Sequence, residues 1–247
     1  IRTEGRPTFC KHFWAIYWRR MVMFYREPRQ WFMMLGPFLN VAMILLIIYS
    51  FVYVFTVAIG GGITNLVLNE IIGFIFPVFM IIGFATTSGI YTMTPIIERN
   101  PNQNLRQLLF LSGLSSFTYY LALLVADFCL FLFSFLLFLI FVAAVGLDSY
   151  SGQLGHFSAT LLMFGLALIC FTYLFSHMFK DLNSAFRCQS GTFLLLGLIA
   201  PGIVSGLGQL APGNVGGSIL LFFYIVDPFY TFYMVQYTII IQSYDPS

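Results

Sequence analysis

The sequence predicts an all-α integral membrane protein: five transmembrane helices, an N-terminal in-plane amphipathic helix and an outer-leaflet re-entrant helical hairpin. Hydrophobic residues make up 60% of the 247 positions and charged residues only 8%, whereas a soluble domain carries roughly a quarter charged residues. Such a chain cannot cover a water-facing surface. Its apolar residues also fall in runs of about 20, the length needed to cross about 30 Å of hydrocarbon.

The basic residues add a third observation, because all of them lie on one side of the apolar runs. The turns 57–70, 146–156 and 208–217 contain no Lys or Arg. Basic residues that flank spans stay in the cytosol, so the pattern predicts a multi-pass protein with a cytosolic N-terminus. The three basic windows hold Arg2, Arg6, Lys11, Arg19, Arg20, Arg26 and Arg29, then Arg99 and Arg106, then Lys180 and Arg187.

Residues 8–26 predict a helix that lies in the membrane plane. Apolar residues recur there at helical spacing, and basic residues occupy the other side, which is typical of an interfacial helix. The alternative is a simple continuation of the first span, and the sequence Arg-Glu-Pro-Arg at 26–29 argues against it. The apolar side holds Phe9, Phe13, Ile16 and Tyr17, and the basic side holds Lys11, Arg19 and Arg20.

Five apolar runs are long enough to span: 31–56, 71–92, 117–145, 157–178 and 186–207. A sixth run, 218–241, is also long enough, but Asp227-Pro228 divides it into two pieces that are each too short to cross. Proline removes a backbone donor and crowds the preceding turn. We therefore interpret 218–241 as a re-entrant hairpin in the outer leaflet. The alternative is an ordinary sixth span.

The segment 98–113 predicts a short helix between the second and third spans, on the cytosolic side. Asn100-Pro101 is a strong helix start, and Gly113 is a fitting stop. Two interpretations stay open for this segment. It is either a plain interfacial turn or a contact surface for a cytosolic partner.

Four motifs, taken in order, resemble the transmembrane domain of an ABC transporter of the A subfamily, the lipid-exporter type. The loop motif runs from Glu98-Arg99 through the stretch 108–115 to Asp127-Phe128. The other three are the aromatic and basic stretch 7–29, the junction 173–186 and the run around Asp227-Pro228. In that family an acidic and basic pair opens a coupling helix, a Gly-Leu-Ser turn closes it and a helix bearing Asp-Phe follows.

The resemblance implies functional roles for several residues of this chain. Coupling to a nucleotide-binding domain is implied for Glu98, Arg99, Asn104 and Arg106. A translocation path between spans two and five is implied for Phe76, Phe79, Thr86, Thr192 and Phe193. It also implies ATP and Mg²⁺ as cofactors of a nucleotide-binding domain, and a second transmembrane half as partner.

The chain differs from that family in three ways, one of which is that a counterpart of the family's sixth helix, after the exit hairpin, is not recognised in this sequence. About a dozen residues join spans one and two, where the family carries a large exocytoplasmic domain, and this short link resembles the G subfamily. Neither Lys11 nor Lys180 sits in a phosphate-binding Gly-x-x-x-x-Gly-Lys-Ser/Thr loop. We therefore expect a nucleotide-binding domain to lie elsewhere and to hydrolyse ATP there. This segment, which starts at Ile1, is expected to be part of a longer protein and not to catalyse ATP hydrolysis itself.

The function predicted is therefore that of the transmembrane half of an ATP-driven transporter for a lipid or amphipathic substrate. The alternative is a membrane-embedded scaffold subunit with the same fold and no transport activity. Asp127 and Asp227 are candidate functional groups because acidic residues inside a bilayer are costly. Cys10 and His12 lack a second pair at ligand spacing, so no metal site is predicted. Nothing in the charge pattern favours nucleic-acid binding.

Overall fold

The computed structural model describes residues 9–59, 65–99, 105–145, 150, 152–199, 203 and 214–244. Every regular element in these ranges is helical, which confirms the all-α class. In chain order the elements are α1 (Phe9–Arg26), α2 (Pro28–Ile59), α3 (Asn65–Thr87), α4 (Gly89–Arg99), α5 (Leu105–Leu111), α6 (Ser116–Val145), α7 (Leu154–Ser176), α8 (Leu182–Leu194) with a π-helical turn (Leu195–Ile199), α9 (Asn214–Val226) and α10 (Pro228–Tyr244).

Within the described ranges, four stretches are long and apolar enough to cross a membrane, and the number rises to five if the bent pair α9–α10 is one span. The four stretches are 28–54, 75–99, 116–144 and 154–176. They correspond to the first four predicted spans, which confirms a multi-pass membrane protein. The fifth predicted span, 186–207, is described as far as Ile199 and at Ile203, and its remaining residues lie outside the described ranges.

The second span is interrupted at Ser88, where α3 ends and α4 begins. The Ser88 amide still donates to the Phe84 carbonyl over 2.9 Å, and residues 75–99 remain one candidate span across this break. The Ser88 hydroxyl accepts a bond of 2.8 Å from the Gln189 side chain on α8. This buried polar contact joins the second span to the helix that follows the fourth.

Helices α2 and α3 approach closely because glycines lie at their crossing. A Cβ atom added at Gly83 would lie 2.8 Å from the Pro37 Cα, and one at Gly36 would lie 2.5 Å from a methyl carbon of Thr87. Without a hydrophobic driving force between helices in lipid, close packing of this kind is what holds transmembrane helices together.

An aromatic core fills the space between α3, α6 and α7. Phe84 lies at its centre, with its ring centroid 5.5 Å from Phe138 and 5.4 Å from Phe164. A Cβ added at Gly165 would lie only 2.1 Å from the Phe131 ring, so the absence of a side chain there lets α7 reach α6.

The bent pair α9–α10 turns by 111° at Asp227. Asp227 caps α10 because its Oδ1 accepts a bond of 3.0 Å from the Phe229 amide, and Pro228 takes the first helical position. The sequence therefore located the break and its cause. Re-entry of this pair into one leaflet, and an in-plane position for α1, stay predictions.

Candidate functional site

The candidate site lies at the end of the helices where the basic residues are found, here called the basic end. It comprises the end of α4, the short helix α5, the start of α6 and the end of α7. Gly113 determines the path of the chain through this site, because a φ of 91° at Gly113 ends α5 in a left-handed turn. The Gly113 amide donates to the Phe110 carbonyl over 3.0 Å, which closes the turn. The predicted stop at Gly113 is where the chain leaves α5.

Glu98 does not begin the short helix, because it belongs to the last turn of α4. Its side chain is fully buried, and it forms an ion pair with Arg19 of α1. The Tyr119 hydroxyl of α6 donates to its other oxygen, Oε2, over 2.6 Å. Burial lowers the pKa of Arg19 from its ordinary value, although an arginine stays charged under all physiological conditions. Glu98 therefore joins α1, α4 and α6 at one point.

Arg99, the last residue of α4, caps the end of α7. Its guanidinium donates to the Ser176 carbonyl over 3.0 Å, to the His177 carbonyl over 3.2 Å and to the Phe179 carbonyl. These carbonyl groups lack partners within the helix, and the helix dipole places partial negative charge there. Arg99 consequently ties the end of the second span to the end of the fourth.

Arg106 lies inside this site and not on its outer surface. Its guanidinium stacks over the rings of Phe110 and Tyr120, 5.4 and 5.6 Å from their centroids. The Tyr120 hydroxyl is in turn 3.2 Å from His177 Nε2. Burial lowers the pKa of His177 below its ordinary 6.5, and the positive charges of Arg106 and Arg99 lower it further.

These residues surround a cavity of about 260 Å³, here called the polar cavity, which is lined by Glu98, Arg99, Arg106, Gln107, Phe110 and His177. Asn104, the remaining predicted coupling residue, lies outside the described residues.

The outward side of α5 is apolar: Leu105 is 39% exposed, Leu108 59% and Leu111 84%.

Further from the basic end, Asp127 forms a buried ion pair with Arg20. Arg20 Nε donates to Asp127 Oδ1 over 2.6 Å, and the Tyr173 hydroxyl donates to Oδ2 over 2.6 Å. Arg20 also donates to the Gln30 side chain over 2.8 Å and to the Ile90 carbonyl over 3.1 Å. The cluster connects α1 and α2 with α4, α6 and α7.

The position of Arg20 corrects the sequence interpretation, which placed it on the exposed basic side of α1. Arg20 is 1% exposed, between the buried residues Ile16 and Phe24. These three residues are four apart and so share one side of the helix. The i, i+4 spacing to two apolar residues was the available signal, and the charge of the side chain concealed it.

The residues predicted to line a translocation path do not share one open surface. Phe76 and Phe193 are fully buried and belong to the aromatic core, where the Phe193 ring centroid is 5.1 Å from that of Phe229. Thr86 is exposed, and its hydroxyl donates to the Ile82 carbonyl of its own helix over 2.9 Å. Phe79 and Thr192 are half-buried. The path itself stays a prediction.

Residues 63–247 match the model of a family described as ABC-2 family transporter protein. This chain belongs to that family. It is also 27% identical over 175 residues to a protein named ABC transporter A family member 5 from Dictyostelium discoideum, and both findings support the resemblance to A subfamily transmembrane domains. That alignment covers 66% of this chain and 10% of the relative's length, so the chain spans about a tenth of the curated relative. No solved structure matches the chain.

The family match begins at residue 63, yet the ABC-2 domain of this chain is not separable from α1 and α2. Arg19 and Arg20 of α1 pair with Glu98 and Asp127, which both lie within the matched region. Helix α2 packs along α3 through Gly36 and Gly83. The first two helices are therefore part of the same packed unit as the matched residues.

Proposed function

We propose that this chain is the transmembrane half of an ATP-driven ABC transporter that moves a lipid or another amphipathic substrate across a membrane. The observation that carries the proposal is that α5 exposes an apolar surface while its neighbours are bound to the spans. An apolar surface, made by Leu105, Leu108 and Leu111, faces outward from a helix whose surroundings are fixed to three spans. An exposed apolar patch marks a contact with protein or lipid, and the position of α5 outside the candidate spans favours a protein.

Helix α5 joins α6 at its C-terminus, and the end of α4 that precedes it in the chain is bound to α1 and α7. At its C-terminus, the Gly113 turn leads directly into α6, and the Phe110 ring packs 5.9 Å from that of Tyr119. On its N-terminal side, Arg99 holds the end of α7, and Glu98 holds α1. A nucleotide-binding domain that closes on ATP and Mg²⁺ and pushes on the leucine surface would therefore move α1, α6 and α7 together.

A large apolar groove supports an amphipathic substrate. It has a volume of about 660 Å³ and lies between α7 and the bent pair α9–α10, lined by Met163, Phe171, Tyr224, Ile225 and Phe232 among others. An ion would need fixed oxygen ligands or a ring of charge, whereas this lining has no charged side chain and only the separate hydroxyls of Thr160, Tyr224 and Thr231. An acyl chain matches its apolar surface.

A charge placed on the leucine surface tests the function directly. In the full-length protein, we expect Leu108→Glu to abolish substrate transport and to weaken contact with the nucleotide-binding domain, because a carboxylate would lose its hydration in that interface. The side chain is 59% exposed, so folding of the membrane domain should be unaffected. Transport of labelled phospholipid and ATP hydrolysis would be measured in reconstituted vesicles.

The control is Asn183→Glu, which places the same charge at an exposed position of the same end, outside α5 and outside the candidate site. Asn183→Glu should transport normally. Equal transport by the wild type and Leu108→Glu would refute the coupling role of α5. Absence of lipid transport by the wild-type protein, with its nucleotide-binding domain bound, would instead favour the scaffold function.

The orientation proposed here places the basic end in the cytosol, because basic residues that flank spans stay there. In a cysteine-free background, cysteines introduced at Gly62 and Gly152 should react with an impermeant thiol reagent from outside, and one at Gln103 should not. Labelling of a cysteine at Gln103 in intact, correctly oriented vesicles would show that the orientation is the opposite of the one proposed. Cysteines must be removed first because Cys10 and Cys188 are exposed.

A further inference from the structure

A second cavity adjoins the polar cavity at the basic end. It has a volume of about 480 Å³ and lies between α6 and α7. Its walls are apolar, with Leu121 and Leu124 on one side and Leu174 on the other, and Tyr120 and His177 close one end. His177 also lines the polar cavity. The two cavities therefore meet at His177, and we call the second one the apolar trough.

The polar cavity carries a net positive charge that its own residues do not balance. Arg99 and Arg106 line it, together with one carboxylate, that of Glu98. That carboxylate is compensated from behind by Arg19 and by the Tyr119 hydroxyl. Arg106 forms no ion pair with any carboxylate of the described residues, and its contacts there are with ring faces. Ring faces accept little from the five N–H donors of a guanidinium, so Arg106 can donate to an anion.

The Tyr120 hydroxyl is a second donor at the meeting point. Arg99 Nη1 lies 3.3 Å from His177 Nδ1, and a guanidinium can only donate. In the neutral imidazole, Nδ1 must then accept and Nε2 carry the proton. His177 Nε2 consequently donates to the Tyr120 oxygen, 3.2 Å away. This arrangement leaves the Tyr120 O–H hydrogen available at the junction of the polar cavity and the trough.

The apolar trough opens where a lipid would be. Phe117 and Leu174 line it and are 70% and 71% exposed, although they lie on segments apolar enough to span the membrane. From His177 to Cys170 the trough follows seven residues of α7, a length of about 10 Å at 1.5 Å per residue. Its volume lies in the range of about 300–1,000 Å³ typical of ligand sites.

We propose that the polar cavity and the apolar trough form one binding site for a phospholipid of the leaflet at the basic end. Its phosphate accepts hydrogen bonds from Arg106 and Tyr120, and an acyl chain lies in the trough between α6 and α7. Guanidinium groups bind phosphate strongly because several N–H donors match its oxygens. The bound lipid holds α5 against α6 and α7. This role goes beyond the proposed function, because the site does not require that the lipid be transported.

Binding to the purified chain in detergent tests the site, with dioctanoyl phosphatidic acid as probe. Two further probes separate the chemistry: inorganic phosphate has the head group alone, and dioctanoylglycerol has the chains alone. Phosphatidic acid should bind saturably. Neither of the other two should compete at tenfold excess, because each lacks one half of the site. Equally tight binding of inorganic phosphate would overturn the lipid assignment in favour of a simple anion site.

Two pairs of variants locate the probe. Arg106→Gln should weaken binding about tenfold or more, since a hydrogen bond to a charged group has that effect. Its control, Arg187→Gln, removes the same charge from an exposed position of the same end and should have no effect. Leu174→Trp should fill the trough and weaken binding of phosphatidic acid, whereas Leu136→Trp, on an exposed part of α6, should not.

The outcomes decide the proposal in each case. Unchanged binding by Arg106→Gln, or equal loss by Arg187→Gln, would overturn it and would leave the Arg106 guanidinium for an acidic side chain of a cytosolic domain. If Arg106→Gln fails to fold, Tyr120→Phe removes only a hydroxyl, and a several-fold loss of affinity is then expected. Normal binding by Tyr120→Phe in that situation would equally contradict the site.

Discussion

Asp127→Asn offers the sharpest test of how this domain is held together. The substitution keeps the shape of the side chain and removes its charge, so Arg20 stays buried without an anion. Arg20 is 1% exposed and Asp127 is fully buried. We expect a marked loss of stability because an uncompensated charge in such a place is costly.

The magnitude follows from the contacts of the pair. Removing one partner of a buried ion pair typically costs about 3–5 kcal/mol. Arg20 would keep its bonds to the Gln30 side chain and the Ile90 carbonyl, 2.8 and 3.1 Å long. Those bonds still satisfy part of the guanidinium, so we expect the low end of the range, about 3 kcal/mol. Tyr173→Phe removes one hydrogen bond to the carboxylate and should cost about 1.5–3 kcal/mol.

A double-mutant cycle separates the pair from its surroundings. Arg20→Met should reduce the free energy of unfolding by about as much as Asp127→Asn. The cycle itself compares Arg20→Met, Asp127→Leu and the double variant. The double variant should lose clearly less stability than the sum of the two single changes. The two residues are in contact, so we expect a coupling energy of about 2 kcal/mol or more. Additive effects of the two changes would refute the reasoning, because they would mean that the pair does not interact.

The assay is reversible unfolding in mixed micelles, titrated with a denaturing detergent and followed by tryptophan fluorescence. The three tryptophans suit this purpose because Trp14 and Trp18 lie on α1, and Trp31 lies at the start of α2. The Trp31 ring packs 4.9 Å from that of Phe24, close to Arg20 in the sequence. The fluorescence signal therefore reports directly on whether α1 stays docked.

Two more predictions concern packing and pH. Gly165→Ala should destabilise the domain by about 1–3 kcal/mol, because the new methyl group would collide with the Phe131 ring. The control is Gly155→Ala on the same helix, where the added methyl group meets no atom within 4 Å and should be neutral or stabilising. Both are measured by the same unfolding titration, and equal effects would contradict the packing argument. The lowered pKa of His177 means that the unfolded chain binds its proton more readily, so stability should be complete above pH 6.5 and should fall below it. His177→Gln should reduce this pH dependence of the unfolding midpoint, and an unchanged profile would show that His177 is not its source.

The sequence was sufficient for the all-α class, for the first four spans and for the breaks at Gly113 and Asp227-Pro228, but not for the break at Ser88. A bilayer offers no water to backbone groups, so apolar runs of this length must be helical. Local chemistry marks the interruptions as well: Gly113 ends α5, and Asp227-Pro228 starts α10. Asp127 was identifiable as important because a carboxylate in an apolar run needs a partner.

Only the tertiary structure decided which residues meet. Arg20 and Asp127 are 107 positions apart, and nothing in the local pattern of either helix names the other. The same holds for Phe76, whose place in the core depends on the crossing of α3 with α6 and α7. Periodicity assigns a residue to one side of a helix, but the partner of that side is set by how whole helices pack. In lipid that packing depends on close approach at small residues such as Gly83 and Gly165, so it appears only when all the helices are in place.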